Sequence, residues 1–271
     1  MGMAKPDFHG ININRIKQSS KKLSGNILST PTIFAHSLSN LLESSLYLKL
    51  ENLQFTSSFK SRGAFIALHE LDEKNKKIGV ITMSAGNHAQ AVAFRSQQQG
   101  IKSIIVMPEK TPFTKISKTK AYGAEIILTG RTLDESKLTV ERLINENGFQ
   151  LVHPFDDPHI ITGQGTIGLE IMDEVPNLDY LVIPIGGGGL ISGISIAAKS
   201  INPDIKIIGV ESELYPSMSR SLAGLNLKSG GDTLAEGIAV KTPGELTKPI
   251  VKELVDKIIL VNEQQIEWAI S

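Results

Sequence analysis

The stretch Ile183-Pro184-Ile185-Gly186-Gly187-Gly188-Gly189-Leu190-Ile191-Ser192-Gly193 constrains this chain more than any other. An apolar run of strand character enters four consecutive glycines and leaves as a helical pattern. Without Cβ atoms, neighbouring backbone N–H groups are free to converge on one point. The helix that follows adds unpaired N–H groups and the positive end of its dipole. Together they form a cradle for a phosphate. The plain alternative is a floppy turn. Two nucleotide signatures do not fit. No Gly-Lys-Ser/Thr follows the glycines, and Ile191 stands where a dinucleotide fingerprint needs its third glycine.

The rest of the chain supplies the setting for such a turn. Strands are predicted at Leu46–Leu50, Gly79–Met83, Ser103–Met107, Glu125–Leu128, Tyr180–Ile185, Lys206–Val210 and Lys257–Val261. Most are continuous apolar runs, the pattern of strands buried on both faces in a parallel sheet. Helix-length segments lie between them, among them Asn87–Gln99, Leu133–Asn147, Leu190–Lys199 and Thr247–Leu254. Strand–helix alternation predicts an α/β protein. Two lobes are expected. Residues 53–155 form a small one with three strand–helix units, and residues 1–52 with 156–271 form a large, discontinuous one. His153-Pro154-Phe155-Asp156-Asp157-Pro158 reads as the turn-rich connection between them. Gln18–Ser24 reads as a solvated loop or helix end.

Charge and composition exclude several functions. The 271 residues carry 28 Lys plus Arg and 28 Asp plus Glu, so no basic excess points to nucleic acid. Absence of cysteine excludes disulfides, thiolate zinc, iron–sulfur clusters and a cysteine nucleophile. No metal is expected, since neither H-E-x-x-H nor H-x-x-x-H occurs. No G-x-S-x-G elbow supports a Ser–His triad. No 18-residue apolar stretch exists to span a membrane. The first thirty residues contain no apolar run of signal-peptide length, and the expected compartment is the cytoplasm.

Three further segments bear on chemistry. Gly163-Gln164-Gly165-Thr166-Ile167-Gly168 matches G-x-G-x-x-G literally but follows no strand. It reads better as a helix with small residues for close packing. Lys60, in Ser57-Ser58-Phe59-Lys60-Ser61-Arg62-Gly63-Ala64, begins a helical pattern. A cation there opposes the helix dipole, which lowers its pKa and favours a nucleophilic amine. By itself the segment reads better as an exposed helix-start lysine. Met83-Ser84-Ala85-Gly86-Asn87-His88-Ala89-Gln90 follows a strand and opens a helix, so Ser84, Asn87 and free N–H groups there suit a carboxylate. His88 alone reads as structural.

In this order the segments resemble the pyridoxal-phosphate enzymes of the tryptophan-synthase β type, fold type II. The resemblance is closest to the threonine/serine dehydratases of the short catabolic type. It runs through Thr30-Pro31, Tyr47-Leu48-Lys49-Leu50-Glu51-Asn52, Ser58-Phe59-Lys60 and Ser84–Gln90. It continues through Pro154–Pro158, Gly163-Gln164-Gly165-Thr166, Gly186–Gly189 and Ala235–Val240. The resemblance implies two open, twisted, mostly parallel sheets flanked by helices. It implies pyridoxal 5'-phosphate held covalently on Lys60, with Phe59 near the pyridine ring and Asn87 on its 3-hydroxyl oxygen. Gly186, Gly187, Gly188, Gly189 and Leu190 would bind the phosphate through backbone N–H groups. Ser84, Ala85, Asn87 and His88 would receive the carboxylate of an amino-acid substrate. Lys60 as catalytic residue is implied by the resemblance and is not singled out by the residues alone.

The implied reaction converts L-threonine, and L-serine, to 2-oxobutanoate, or pyruvate, and ammonia. Lys60 would take the Cα proton before the β-hydroxyl leaves. Two alternatives stay open. One is a racemase similar to serine racemase, which needs a second acid/base where this chain has Ala85. The other is a non-catalytic amino-acid-binding relative. Glu211 matches a cation ligand of some relatives, but Ser217 stands where those relatives have an acid. A homo-oligomer is expected from the family. Asn262 and Gln265 predict a helix start, with Ile266, Ala269 and Ile270 beginning an apolar face. Relatives continue past this point with a polar residue for the pyridine nitrogen, so the C-terminal part of the fold is expected to be missing here.

Overall fold

The computed structural model describes residues 7–225 and 229–271. Strands β1 (Asp7–Phe8) and β2 (Ile11–Asn12) pair antiparallel. Asn12 accepts hydrogen bonds from the N–H groups of Asn14 and Arg15 and starts helix α1 (Ile13–Leu23). Gln18–Ser24, expected as a solvated loop or helix end, is the end of α1, but Ser19 and Leu23 in it are buried. Its lysines and serines mask a sparse stripe of Ile13, Ile16 and Leu23, which packs under the rest of the fold. A second antiparallel pair, β3 (Thr32–Phe34) and β4 (Tyr47–Lys49), brackets the short helix α2 (His36–Leu41). Here the structure departs from expectation. The strand at 46–50 is not buried in a parallel sheet; Tyr47 and Leu48 stay exposed on a local hairpin.

Helices α3 (Lys60–His69) and α4 (Glu73–Ile78) lead into the first parallel sheet. Its chain order is β5 (Val80–Met83), α5 (Asn87–Gln99), β6 (Ser103–Met107), α6 (Phe113–Lys120), β7 (Glu125–Leu128), α7 (Leu133–Asn147) and β8 (Gln150–Leu151). The spatial order is β7-β6-β5-β8, all parallel. Helix stops follow local chemistry, since Gly100 and Gly148 take left-handed conformations after α5 and α7. Both sheet faces are covered. Val80, Ile105 and Met107 pack on one side with residues of α3 and α5, and Ile81, Ile104 and Val106 pack on the other with Val140 of α7.

Helix α8 (Pro158–Glu174) starts at Asp157, whose carboxylate accepts from the N–H groups of His159 and Ile160. It precedes the second sheet, β9 (Tyr180–Pro184), α9 (Gly189–Ile201), β10 (Lys206–Ser212), α10 (Ser217–Leu222), α11 (Thr247–Leu254), β11 (Lys257–Val261) and α12 (Glu263–Ile270). The order is β11-β10-β9, again parallel. Leu181 and Ile183 enter its core, whereas Tyr180 and Val182 are 59% and 64% exposed. The continuous apolar run at 180–185 thus covers one buried and one open face, which apolarity alone does not distinguish. The reciprocal cap between Asn262 and Gln265 forms as expected. The apolar face after it does not bury; Trp268 and Ile270 are more than two-thirds exposed.

The G-x-G-x-x-G stretch lies inside α8, as its flanking sequence predicts. A Cβ on Gly163 would sit 2.6 Å from the Cα of Gly63, and one on Gly193 would sit 2.3 Å from the carbonyl of Ile161. Glycines therefore let α8 touch both α3 and α9 at backbone distance. Gly163→Leu is expected to cost about 3 kcal/mol, because overpacking there cannot relax into a void. Urea denaturation of the cofactor-free chain measures this, and an unchanged midpoint contradicts the close crossing.

The resemblance run at 47–52 has a structural explanation. Arg62 on α3 is fully buried, and its guanidinium donates to Glu51 at 2.7 and 2.8 Å and to Glu170 of α8 at 2.8 Å. Lys49 donates to the Thr30 carbonyl at 2.7 Å and to Glu174 at 3.0 Å. A buried cation satisfied on two sides holds the start of α3, and with it Lys60, in place.

Candidate active site

The chain leaves β5 for β6 and β7 on one side and returns to β8 on the other. Loops beyond the carboxyl ends of β5 and β8 therefore diverge at a switch point, the usual crevice of an open α/β sheet. Those loops are Ser84–Gly86 and His153–Asp157. The glycine turn follows the carboxyl end of β9 in the second sheet.

The glycine turn is clamped, not floppy. The Ile185 N–H donates to the Val210 carbonyl at 2.7 Å. Gly188 has φ +97°, and a Cβ there would lie 2.7 Å from Met218 Cε and Thr247 Oγ1. A Cβ on Gly187 would enter the ring of Phe155 at 2.2 Å, and one on Gly189 would meet the Phe155 carbonyl at 2.8 Å. Gly186 faces Val240 and Ile238 at 3.1 and 3.2 Å. The Gly187 carbonyl is tied back by the Thr247 hydroxyl at 2.7 Å and the Gly244 N–H at 3.1 Å. Among the described residues no side chain caps the start of α9. A crowded backbone beside an open helix dipole fits a phosphate and leaves no room for side chains.

Lys60 opens α3 directly after Phe59. Part of its side chain reaches solvent, but the amine is enclosed and donates to the Pro154 carbonyl at 2.7 Å. The nitrogen lies 5.3 Å from the centroid of the Phe59 ring. Phe59 and Leu190 pack against the same core cluster of the second sheet. Burial lowers the Lys60 pKa to about 8. The direction matches the sequence expectation, and its cause here is desolvation by burial.

The β5–α5 turn is shaped by Ser84, whose N–H donates to the Val106 carbonyl at 3.1 Å and whose hydroxyl accepts from the Gly86 N–H at 3.3 Å. Helix α5 starts at Gly86 with no side-chain cap among the described residues, and Asn87 is exposed at its first position. Ala85 packs against the core of the first sheet. His88 turns inward. Its ring is buried, and Nε2 donates to the Val152 carbonyl at 3.0 Å. Burial, then the Lys60 charge, push its pKa down to about 3, so the ring is neutral. The imidazole thus faces the core and not the turn.

Sequence reasoning missed Phe155, Asp156 and Thr247. Asp156 accepts from the N–H groups of Glu245 and Leu246 at 2.9 Å each, bringing residues 244–247 against the glycine turn. Phe155 and Asp156 lay in a polar turn read as a connection and crossed by the resemblance, and Thr247 stood only as the first residue of an expected helix. Glu211 is buried, which raises its pKa, and its two oxygens accept from the N–H groups of Met218 and Ser219. Those contacts make it a cap for α10.

A crowded glycine turn at an open helix start, an enclosed lysine amine and the uncapped start of α5 all meet the segment 152–155. The chain belongs to the pyridoxal-phosphate dependent enzyme family, whose profile matches residues 23–271. Among curated relatives, the L-threonine ammonia-lyase of Thermotoga maritima is 47% identical over 262 residues, covering 96% of this chain and 65% of that protein. The catabolic L-threonine dehydratase TdcB of Staphylococcus aureus is 46% identical over 266 residues, covering 97% and 77%. Among solved structures, serine racemase from Dictyostelium discoideum superposes with a TM-score of 0.89 at 40% identity, covering 95% of this chain and 83% of that one. The family resemblance and the α/β fold of parallel sheets read from the sequence both hold.

Proposed function

We propose that this chain is a pyridoxal-phosphate-dependent ammonia-lyase acting on L-threonine, and on L-serine, to give the 2-oxo acid and ammonia. The observation that carries the reading is the enclosed Lys60 amine, hydrogen-bonded to Pro154 one residue from the ring that seats the glycine turn. When bound, pyridoxal phosphate supplies a carbonyl that links to amines and a ring that draws electrons from the substrate Cα.

The chain's own residues do the rest. N–H groups of Gly186–Leu190 and the α9 dipole neutralise the phosphate. Phe59 would flank the ring, and Asn87 would hydrogen-bond its 3-hydroxyl oxygen. N–H groups and the Ser84 hydroxyl at the start of α5 receive the substrate carboxylate. With a pKa of about 8, the Lys60 amine is half deprotonated at that pH and accepts the Cα proton. The Pro154 carbonyl orients it. The β-hydroxyl would leave as water with the equivalent of the proton taken from Cα, and the enamine so formed would add water and release ammonia.

Names of the relatives support a second reading, racemisation, since one of them is a serine racemase. Ala85 weighs against it, because a methyl group cannot deliver a proton to the opposite face of Cα. We expect 2-oxo acid from L-threonine with added cofactor, a yellow chain that borohydride fixes, and no D-serine in residual L-serine. Ala85→Ser is expected to let D-serine appear. Chiral chromatography decides, and D-serine from the unaltered chain overturns the preference for elimination.

A further inference from the structure

Residues 152–157 hold every part of the crevice at once. The Val152 carbonyl accepts from the Thr82 hydroxyl at 2.7 Å and from His88. Pro154 takes the Lys60 amine, the Phe155 ring lies against Gly187, Asp156 ties in residues 244–247, and Asp157 caps α8. One side chain closes this turn. His153 Nδ1 accepts from the N–H groups of Asp156 at 2.8 Å and Phe155 at 3.3 Å. Its ring meets the Phe155 ring edge-on, with centroids 4.7 Å apart. An imidazole accepting at Nδ1 carries its proton on Nε2 and is neutral.

We infer that His153 is a positioning residue, whose neutral ring folds the turn that carries both the Lys60 acceptor and the ring beneath the phosphate cradle. Protonation of Nδ1 turns that acceptor into a donor, and the turn loses its closure. This rests on the cofactor reading above. Several charged or titratable groups face His153. Asp156 and Asp157 on its own turn favour the imidazolium, while Lys60 from α3 and Lys137 from α7 oppose it. His88 from α5 is neutral. Burial is the largest influence, and the His153 pKa lies below 6.5. Protonation of His153 therefore weakens cofactor binding as pH drops below the ordinary imidazole range, in addition to the loss that protonation of Lys60 imposes from about 8 downward.

The test uses the full chain, pyridoxal phosphate as the probe, and two variants, His153→Asn and His153→Leu. The Asn Oδ1 stands where Nδ1 stands and accepts the same N–H groups without titrating. Cofactor dissociation constants are read by absorbance between about pH 5 and pH 8, spanning the imidazole range, together with the fraction fixed on Lys60 by borohydride. Urea midpoints of the cofactor-free chains separate local from global effects. His153→Asn is expected to bind within about twofold of the unaltered chain at neutral pH and to fall less steeply on the acid side, since its acceptor persists while Lys60 still titrates. His153→Leu is expected to bind about tenfold more weakly throughout, two hydrogen bonds being lost. An acid-side fall as steep in His153→Asn as in the unaltered chain overturns the inference, as does unaltered affinity in a folded His153→Leu. If the unaltered chain takes up no cofactor at about pH 8, the functional reading fails first and the inference with it.

Discussion

Replacing Lys60 with alanine is expected to lower 2-oxo acid production by at least about 10⁴-fold, the upper range for a lost general base. The covalent anchor and the base are the same nitrogen, so their loss is one effect and not the product of two. The variant should also fold better than the parent near neutral pH. Burial holds the Lys60 pKa at about 8 against an ordinary 10.5, so the folded chain binds fewer protons than the unfolded chain between these values. The penalty of enclosing the charge is therefore present in full below pH 8 and fades as pH rises toward 10.5. The stability gap between Lys60→Ala and the parent should close over that window. Paired urea titrations at several pH values measure the gap, and a 2-oxo acid assay measures the activity. More than a trace of turnover in the variant would remove Lys60 from its proposed role.

The second large effect is expected at Gly188. A Cβ there meets Thr247 and Met218 at 2.7 Å, and φ is +97°, so any side chain strains the turn. Folding is thus weakened as well as binding, and a single substitution does not separate the two. Gly188→Ala and Gly188→Asp do so as a pair. Both share the backbone strain and the crowding at Cβ, but only aspartate brings a negative charge toward a phosphate dianion. Repulsion at about 5 Å in an environment of effective dielectric near 20 amounts to several kcal/mol. We therefore expect Gly188→Asp to bind pyridoxal phosphate at least about 10²-fold more weakly than Gly188→Ala. Equal affinities in the two variants would falsify the phosphate cradle, because strain alone predicts no difference between them.

Local chemistry explains what was legible in the residues. Ser103–Met107, Glu125–Leu128 and Lys257–Val261 are strands with the bounds their apolar runs predict. Asn87–Gln99, Leu133–Asn147 and Thr247–Leu254 are helices on the same footing. The strand–glycine–helix turn and the Asn262–Gln265 cap were also readable, because each is a contact among residues close in the chain. The role given to Lys60 came from resemblance, since a lysine at a helix start carries no mark of its own.

By itself, then, the sequence determined the alternation of strands and helices, the glycine turn and the exclusion of thiol chemistry. Each depends on backbone preferences or residue identity within a few positions. Tertiary structure alone decided the β7-β6-β5-β8 order, the open face of β9 and the exposed hairpin at β4. It also decided that Lys60 is tuned by enclosure, that His88 faces inward, and that His153–Asp157 joins the parts of the crevice. Those facts depend on which groups exclude water from a given atom and which distant carbonyl it meets. The acceptor of Lys60 lies 94 residues along the chain and that of His88 lies 64, beyond the reach of any local pattern.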